Sequence, residues 1–304
     1  MKFFDLHCDT LYRAYNENKS IYKNNDFHIS YEKSKRFKKY VQCFAAWIPD
    51  EYRGVNALNL FDGCIDKLQD EKKESKFNII KTFDDFDGER CAVVTVEGGA
   101  VLGGDIQKVR YLSENNVKIM TLTWNGRCEI GDGCGEINSQ GITEFGKQVV
   151  KEMESYGIII DVSHASEKLF FDVANIAKKP FIATHSNSYS VCPHKRNLTD
   201  SQFLEIKNGE GIVGITFCSE FLNSNKNAGL DDILKHAEHF WGLGGEDVTC
   251  IGSDFDGAEV PPEINSLEKV ENLYEYFLKK NYKESLVQKL FFENAYEFMK
   301  LHIK

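Results

Sequence analysis

The sequence predicts an α/β fold: a (β/α)8 barrel of TIM type with extra C-terminal helices, in one domain over residues 1–304. Three observations predict it. Eight apolar runs recur along the chain and alternate with helical patterns. These runs are near-continuously hydrophobic, as strands buried on both faces are. Several of them end in His, Asp or Glu, and parallel barrel strands deliver their C-terminal residues to the one face where barrels do chemistry. A doubly wound sheet is the second architecture that such alternation allows.

The strand runs are 2–8, 41–48, 91–97, 117–124, 157–163, 180–185, 211–217 and 248–253. Helical patterns lie between them at 105–115, 143–156, 166–176, 199–208 and 230–242. Thr143, Ser166 and Thr199 are start signals, and Gly157 and Gly209 are stop signals. A side-chain oxygen accepts a free amide of the first turn, and glycine takes the left-handed turn at the end. Leu230, Ile233, Leu234, Ala237 and Trp241 repeat at helical spacing. Two more helices, near 266–280 and 283–302, follow the last strand. Eight such units in about 250 residues match the barrel in number and length. No linker rich in Gly, Ser or Pro marks a boundary.

Composition narrows the function. A hydrophobic content of 42% supplies a sizeable core, and a net charge of −10 argues against a nucleic-acid backbone as partner. Met1-Lys2-Phe3-Phe4-Asp5-Leu6-His7 has no apolar signal core, and no run approaches the ~20 residues that cross a bilayer. A cytoplasmic protein with no membrane partner is expected. Nine cysteines are scattered without a Cys-x-x-Cys pair, which reads as reduced thiols acting as small buried hydrophobes. Cys128 and Cys134, flanking a Gly-rich loop, are the exception to examine for a metal or redox role. His236 and His239, one helical turn apart among Asp, Lys and Glu, read as a solvated face.

The strand ends carry the chemistry. His7 and Asp9 are two apart, so on extended backbone they point to one side and can grip one metal ion. Glu97 follows Val93-Val94-Thr95-Val96 and precedes Gly98-Gly99. A carboxylate there is costly to bury unless paired or metal-bound. His164 and His185 close two consecutive strands, and imidazole suits zinc. Such a set suffices for two metals bridged by one carboxylate, an arrangement that activates water for hydrolysis. Asp254 ends the last strand and can move a proton, whereas Asp256 reads as a loop-stabilising turn residue. Arg196, about ten residues after His185, can clamp a substrate carboxylate through two parallel hydrogen bonds.

The set Asp5-Leu6-His7-Cys8-Asp9-Thr10, Val96-Glu97-Gly98-Gly99, Asp161-Val162-Ser163-His164, Thr184-His185-Ser186, Tyr189-Ser190-Val191-Cys192, Arg196-Asn197 and Gly252-Ser253-Asp254-Phe255-Asp256-Gly257 resembles the membrane dipeptidase (renal dipeptidase) family of zinc peptidases. The motifs run from residue 5 to 257 in the family's order. The resemblance implies an amidohydrolase-type barrel, a metal-dependent hydrolase with two Zn2+ per chain. His7 and Asp9 would hold one zinc, His164 and His185 the other, and Glu97 would bridge them. Asp254 would be the catalytic acid/base, and Arg196 would bind the substrate carboxylate. Trp124 and Tyr189 are further substrate-binding candidates. Family members cleave dipeptides, often with a D-residue at the C-terminal side. Some open β-lactams, and a homodimer is the family's assembly. One departure stands out: Leu122-Thr123 is followed by Trp124-Asn125, where the animal enzymes carry a substrate-contacting His. An indole donates one hydrogen bond but cannot bear a proton as imidazole does. The alternatives are another binuclear amidohydrolase acting on acyl-amino acids, lactams or lactones, and a non-catalytic metal-binding protein.

Overall fold

A computed structural model describes residues 1–225 and 227–303. Its strands are β1 (Lys2–Cys8), β2 (Lys39–Trp47), β3 (Asn78–Ile79), β4 (Arg90–Glu97), β5 (Val117–Thr121), β6 (Ile159–Asp161), β7 (Val213–Ile215) and β8 (Thr249–Ile251). All pair in parallel, in the order β6-β5-β4-β2-β1-β8-β7, with the short β3 added to β4. The (β/α)8 expectation holds. The two ends of this order meet through residues 182 and 183, which bridge to Asp161 of β6 and Val213 of β7.

The expected strand 180–185 is therefore reduced to two bridges, and the later strands are shorter than expected. The reason is local. At the C-terminal ends, side chains replace ladder partners. Asp161 Oδ1 accepts from the backbone N–H of Ser163 (2.9 Å) and Thr184 (2.9 Å). Asp5 Oδ1 accepts from Ser253 N–H (2.7 Å), and Asn187 Oδ1 from Thr216 N–H (3.0 Å). A satisfied amide costs nothing by leaving the ladder.

The helix starts follow their caps. Thr143, Ser166 and Thr199 accept from Gly146, Leu169 and Gln202 respectively. Gly157 ends its helix at φ 72°, as expected. Gly209 instead stays at φ −83°, and Glu210 takes the left-handed turn at φ 61°. Helices Thr10–Asn16 and Gly54–Ser75 lie outside the sequence reading. The second packs Ala57, Leu60, Phe61, Cys64, Ile65 and Leu68 into the layer between barrel and helices. A separate cluster takes Leu6, Cys43, Val93, Ile119, Ile159 and Ile182 from the barrel staves, and Phe292, Phe298 and Met299 of the C-terminal helical segment join it. Phe4, near the start of β1, meets Phe292 at 6.3 Å. The C-terminal segment thus covers the end of the barrel opposite the strand C-termini. Among the described residues, no helix is long and apolar enough to cross a membrane.

The solvated-face reading fails for His236. It is buried, accepts Ser188 N–H at Nδ1 (3.1 Å) and meets the Leu222 carbonyl at Nε2 (3.1 Å). His239 does sit near solvent, paired with Asp200 at 2.7 Å. Burial pushes the His236 pKa down from 6.5 to about 4. The unfolded chain takes up a proton near 6.5 that the folded chain refuses until about 4, so this contribution is complete above 6.5 and is lost as pH falls through that window. Between pH 7 and 5 it amounts to about 2 kcal/mol. His236→Gln should show a correspondingly smaller loss of urea-unfolding stability over that range than the wild-type chain.

Candidate metal centre

The site forms where β1, β4, β5, β6 and β8 end. Backbone bonds from Asp254 N–H to the His7 carbonyl (3.1 Å) and from Asp9 N–H to the Phe255 carbonyl (2.9 Å) join the ends of β1 and β8. They bring His7, Asp9 and Asp254 together across the barrel seam. Glu97 is the last residue of β4, in register with Trp47 of β2 and Thr121 of β5. His164 and His185 extend from the loops after β6 and after the bridged segment. All of these side chains are buried or nearly so.

The two Glu97 oxygens face different partners. Oε1 lies 2.8 Å from His164 Nε2 and 3.3 Å from His185 Nε2. Oε2 lies 3.7 Å from His7 Nε2, which in turn lies 3.4 Å from Asp9 Oδ2 and 3.9 Å from Asp254 Oδ1. Donor atoms of His7, Glu97 and His185 fall within 4.8 Å of one another, as do those of His7, Asp9 and Asp254. The His7 and His185 rings stack at 3.8 Å. His164 and Asp254 have φ of 68° and 63°, left-handed conformations that non-glycine residues adopt at a cost and that cluster at functional sites.

The electrostatics favour a cation. Burial pushes the Glu97 carboxyl well above its usual range, His7 opposes this and Asp9 adds to it. Burial also pushes Asp254 up to about 7, with His7 opposing. Burial works against a charged His7, but Glu97, Asp9 and Asp254 outweigh it and raise its pKa to about 10. Burial holds His164 and His185 well below the usual imidazole range, so both rings are neutral at physiological pH. Their Nε2 atoms nevertheless face each other at 3.0 Å. His7 Nε2 and Asp9 Oδ1 are buried without a hydrogen-bond partner. Basic ring nitrogens and carboxylate oxygens converging with unsatisfied atoms fit a zinc-type ion.

Around the cluster lies a cavity of about 410 Å³. Trp124, a sequence candidate, lines it together with Tyr12 and Trp47, which sequence reasoning missed. Tyr12 meets Trp47 edge-on at 4.8 Å, and Trp47 meets Trp124 at 5.0 Å. An aromatic residue closing β2 was the available signal. Arg196 is buried, donates to the His185 carbonyl (3.0 Å) and has an unpartnered Nε. It lines an adjacent hollow with Tyr189 and His164 rather than the main cavity. Tyr189 is 44% exposed, at the surface side of that hollow. Asp256 accepts from Thr10 Oγ1, Arg13 Nη1 and His28 N–H, the structural role expected of it. All nine cysteines are free thiols, and only Cys134 is partly exposed. Its Sγ lies 3.4 Å from Asn125 Oδ1, which also meets His164 Nδ1 at 2.9 Å.

The chain is similar to known proteins along its length. The model of the family described as "Membrane dipeptidase (Peptidase family M19)" matches residues 1–301. The "uncharacterized protein in pqqA 5′region" of Klebsiella pneumoniae is 30% identical over 231 residues, 70% of this chain and 85% of that protein. A metallopeptidase from Rhodobacter sphaeroides, crystallised with a phosphinate mimic of the dipeptide L-Ala-D-Ala, superposes with a TM-score of 0.93 at 26% identity, covering 99% of both chains. The dipeptidase AC, a metallopeptidase of family M19, also superposes with a TM-score of 0.93 at 27% identity, covering 100% of this chain and 99% of its own.

Gly257 sets a test of the geometry. A Cβ there would sit 2.0 Å from Asp9 Oδ2 and 2.7 Å from Asp254 Oδ1. Gly257→Ala should push both carboxylates aside and lower the metal retained per chain after dialysis, measured by elemental analysis, with the far-ultraviolet circular dichroism unchanged.

Proposed function

This chain belongs to the membrane dipeptidase family, peptidase family M19, and on that premise we propose that it hydrolyses dipeptides at a two-zinc centre. The observation that carries the reading is the division of the Glu97 carboxylate, with Oε1 toward His164 and His185 and Oε2 toward His7. His7 and Asp9 would hold one zinc and His164 and His185 the other, with Glu97 as the carboxylate shared between them. The whole chain, 1–304, acts as one catalytic domain. Two zinc ions here would lower the pKa of a shared water toward neutrality and polarise the peptide carbonyl.

The protein groups do the rest. Asp254 Oδ1 points into the cluster, where a carboxylate can take a proton and give it to the leaving amine. Positive charge bound beside it lowers its pKa and favours the base form. Arg196 receives the carboxylate of the substrate's C-terminal residue on its fork, with the buried Nε as one free donor. The Trp124 and Trp47 rings narrow the cavity and exclude water from the scissile bond, and Tyr189 borders the Arg196 side. The dipeptide mimic bound by the Rhodobacter sphaeroides relative supports this substrate class and a D-residue at the C-terminal position.

Protein purified without chelator should contain two zinc ions per chain and hydrolyse members of an L,L and L,D dipeptide panel. Glu97→Gln should lose at least one zinc, and Asp254→Asn should keep both while kcat falls by about 10²–10⁴-fold. A metal-free wild-type preparation, or full activity in Asp254→Asn, would overturn the mechanism. Arg196→Ala separates dipeptides from other amides: it should raise KM for dipeptides about 10- to 100-fold and spare a neutral ester. Equal effects on both would favour a hydrolase of lactams or lactones.

A further inference from the structure

One buried carboxylate near the centre is not accounted for by the ligand set. Asp161, at the end of β6, is wholly buried and accepts four hydrogen bonds. They come from Ser163 N–H and Thr184 N–H (both 2.9 Å) and from the hydroxyls of Thr121 and Thr184 (both 2.6 Å). Thr184 Oγ1 also lies 2.8 Å from His185 Nδ1. A hydroxyl has one hydrogen to give. Asp161 already accepts two backbone N–H groups and its oxygen lies closer than the ring nitrogen, so the Thr184 hydrogen goes to Asp161 Oδ2. Thr184 Oγ1 can then only accept from the ring, which requires the hydrogen of His185 on Nδ1. Its Nε2 is left with a lone pair, facing Glu97 Oε1 and His164 Nε2.

We propose that Asp161 and Thr184 are positioning residues that relay a fixed hydrogen-bond direction to His185, setting its Nδ1–H tautomer and aiming its Nε2 lone pair into the centre before any metal binds. His164 is oriented differently, by the neutral amide of Asn125 at Nδ1 (2.9 Å). Of these two rings, His185 is the one with a carboxylate behind it, one hydroxyl removed, and such a partner behind a ligating imidazole raises its basicity. The consequence for binding rests on the ligand role proposed for His185, but the tautomer does not.

Two measurements test it. Long-range 1H–15N spectra of metal-free, histidine-labelled wild-type protein should show His185 protonated at Nδ1, and protonation at Nε2 would overturn the proposal. Competitive zinc titration should show one of two binding steps weakened about 10- to 100-fold in Thr184→Val, and restored to within a few-fold of wild type in Thr184→Ser. Should valine prevent folding, Thr184→Ala makes the same comparison. Wild-type zinc affinity in the hydroxyl-free variant would overturn the relay while leaving the dipeptidase reading intact. Failure of the wild-type chain to bind zinc would overturn that reading, with the tautomer still decided by the spectra.

Discussion

The structure turns on how buried carboxylates at the barrel mouth are satisfied. Asp5 and Asp161 are fully buried and are met by backbone amides and hydroxyls. Burial pushes Asp5 up to about 6, while bonds from Ser253 and His7 N–H pull it back. These acceptors replace ladder bonds where the strands end, so the backbone can leave sheet geometry without orphaned amides. Each holds the residue just before a candidate site residue: Ser253 before Asp254, and Thr184 before His185. Glu97 stands apart, because the groups facing its oxygens are imidazole nitrogens. The first two carboxylates build the scaffold, and the third faces ring nitrogens.

Charge follows the same division. Asp9, Glu97 and Asp254 gather around one ring, His7, whose proton is held far above its usual range by them. A cation held among the same atoms would supply that positive charge in place of the ring proton. His164 and His185 are already neutral through burial, the state in which imidazole ligates a metal. Arg196 lies behind His185, bonded to its carbonyl, so two candidate site residues share one short segment of chain. A change that shifts that segment would move both.

Much of the architecture was legible because burial on both faces leaves a plain apolar signature, and because helix caps act locally. Thr143, Ser166 and Thr199 cap as their residue types dictate. The helix Gly54–Ser75 escaped notice although Ala57, Phe61, Cys64 and Leu68 carry helical spacing, since it opens on Gly54 at φ 54° without a Ser, Thr or Asp signal. The strand at 180–185 was overread: Thr184 N–H bonds a side chain instead of a neighbouring strand. His236 looked solvated among charged neighbours, yet it spans two loops of distant sequence, which only their packing reveals.

The sequence by itself determined the element order and singled out His7, Asp9, Glu97, His164, His185 and Asp254 as candidates, because strand periodicity and residue chemistry are local properties. It could not decide which oxygen of Glu97 faces which histidine. Nor could it place Trp47 beside Trp124, Arg196 and Tyr189 in a neighbouring hollow, or Asp161 behind His185. Those relations join staves far apart in the chain. They exist only once the barrel closes and burial forces each polar atom to find a partner.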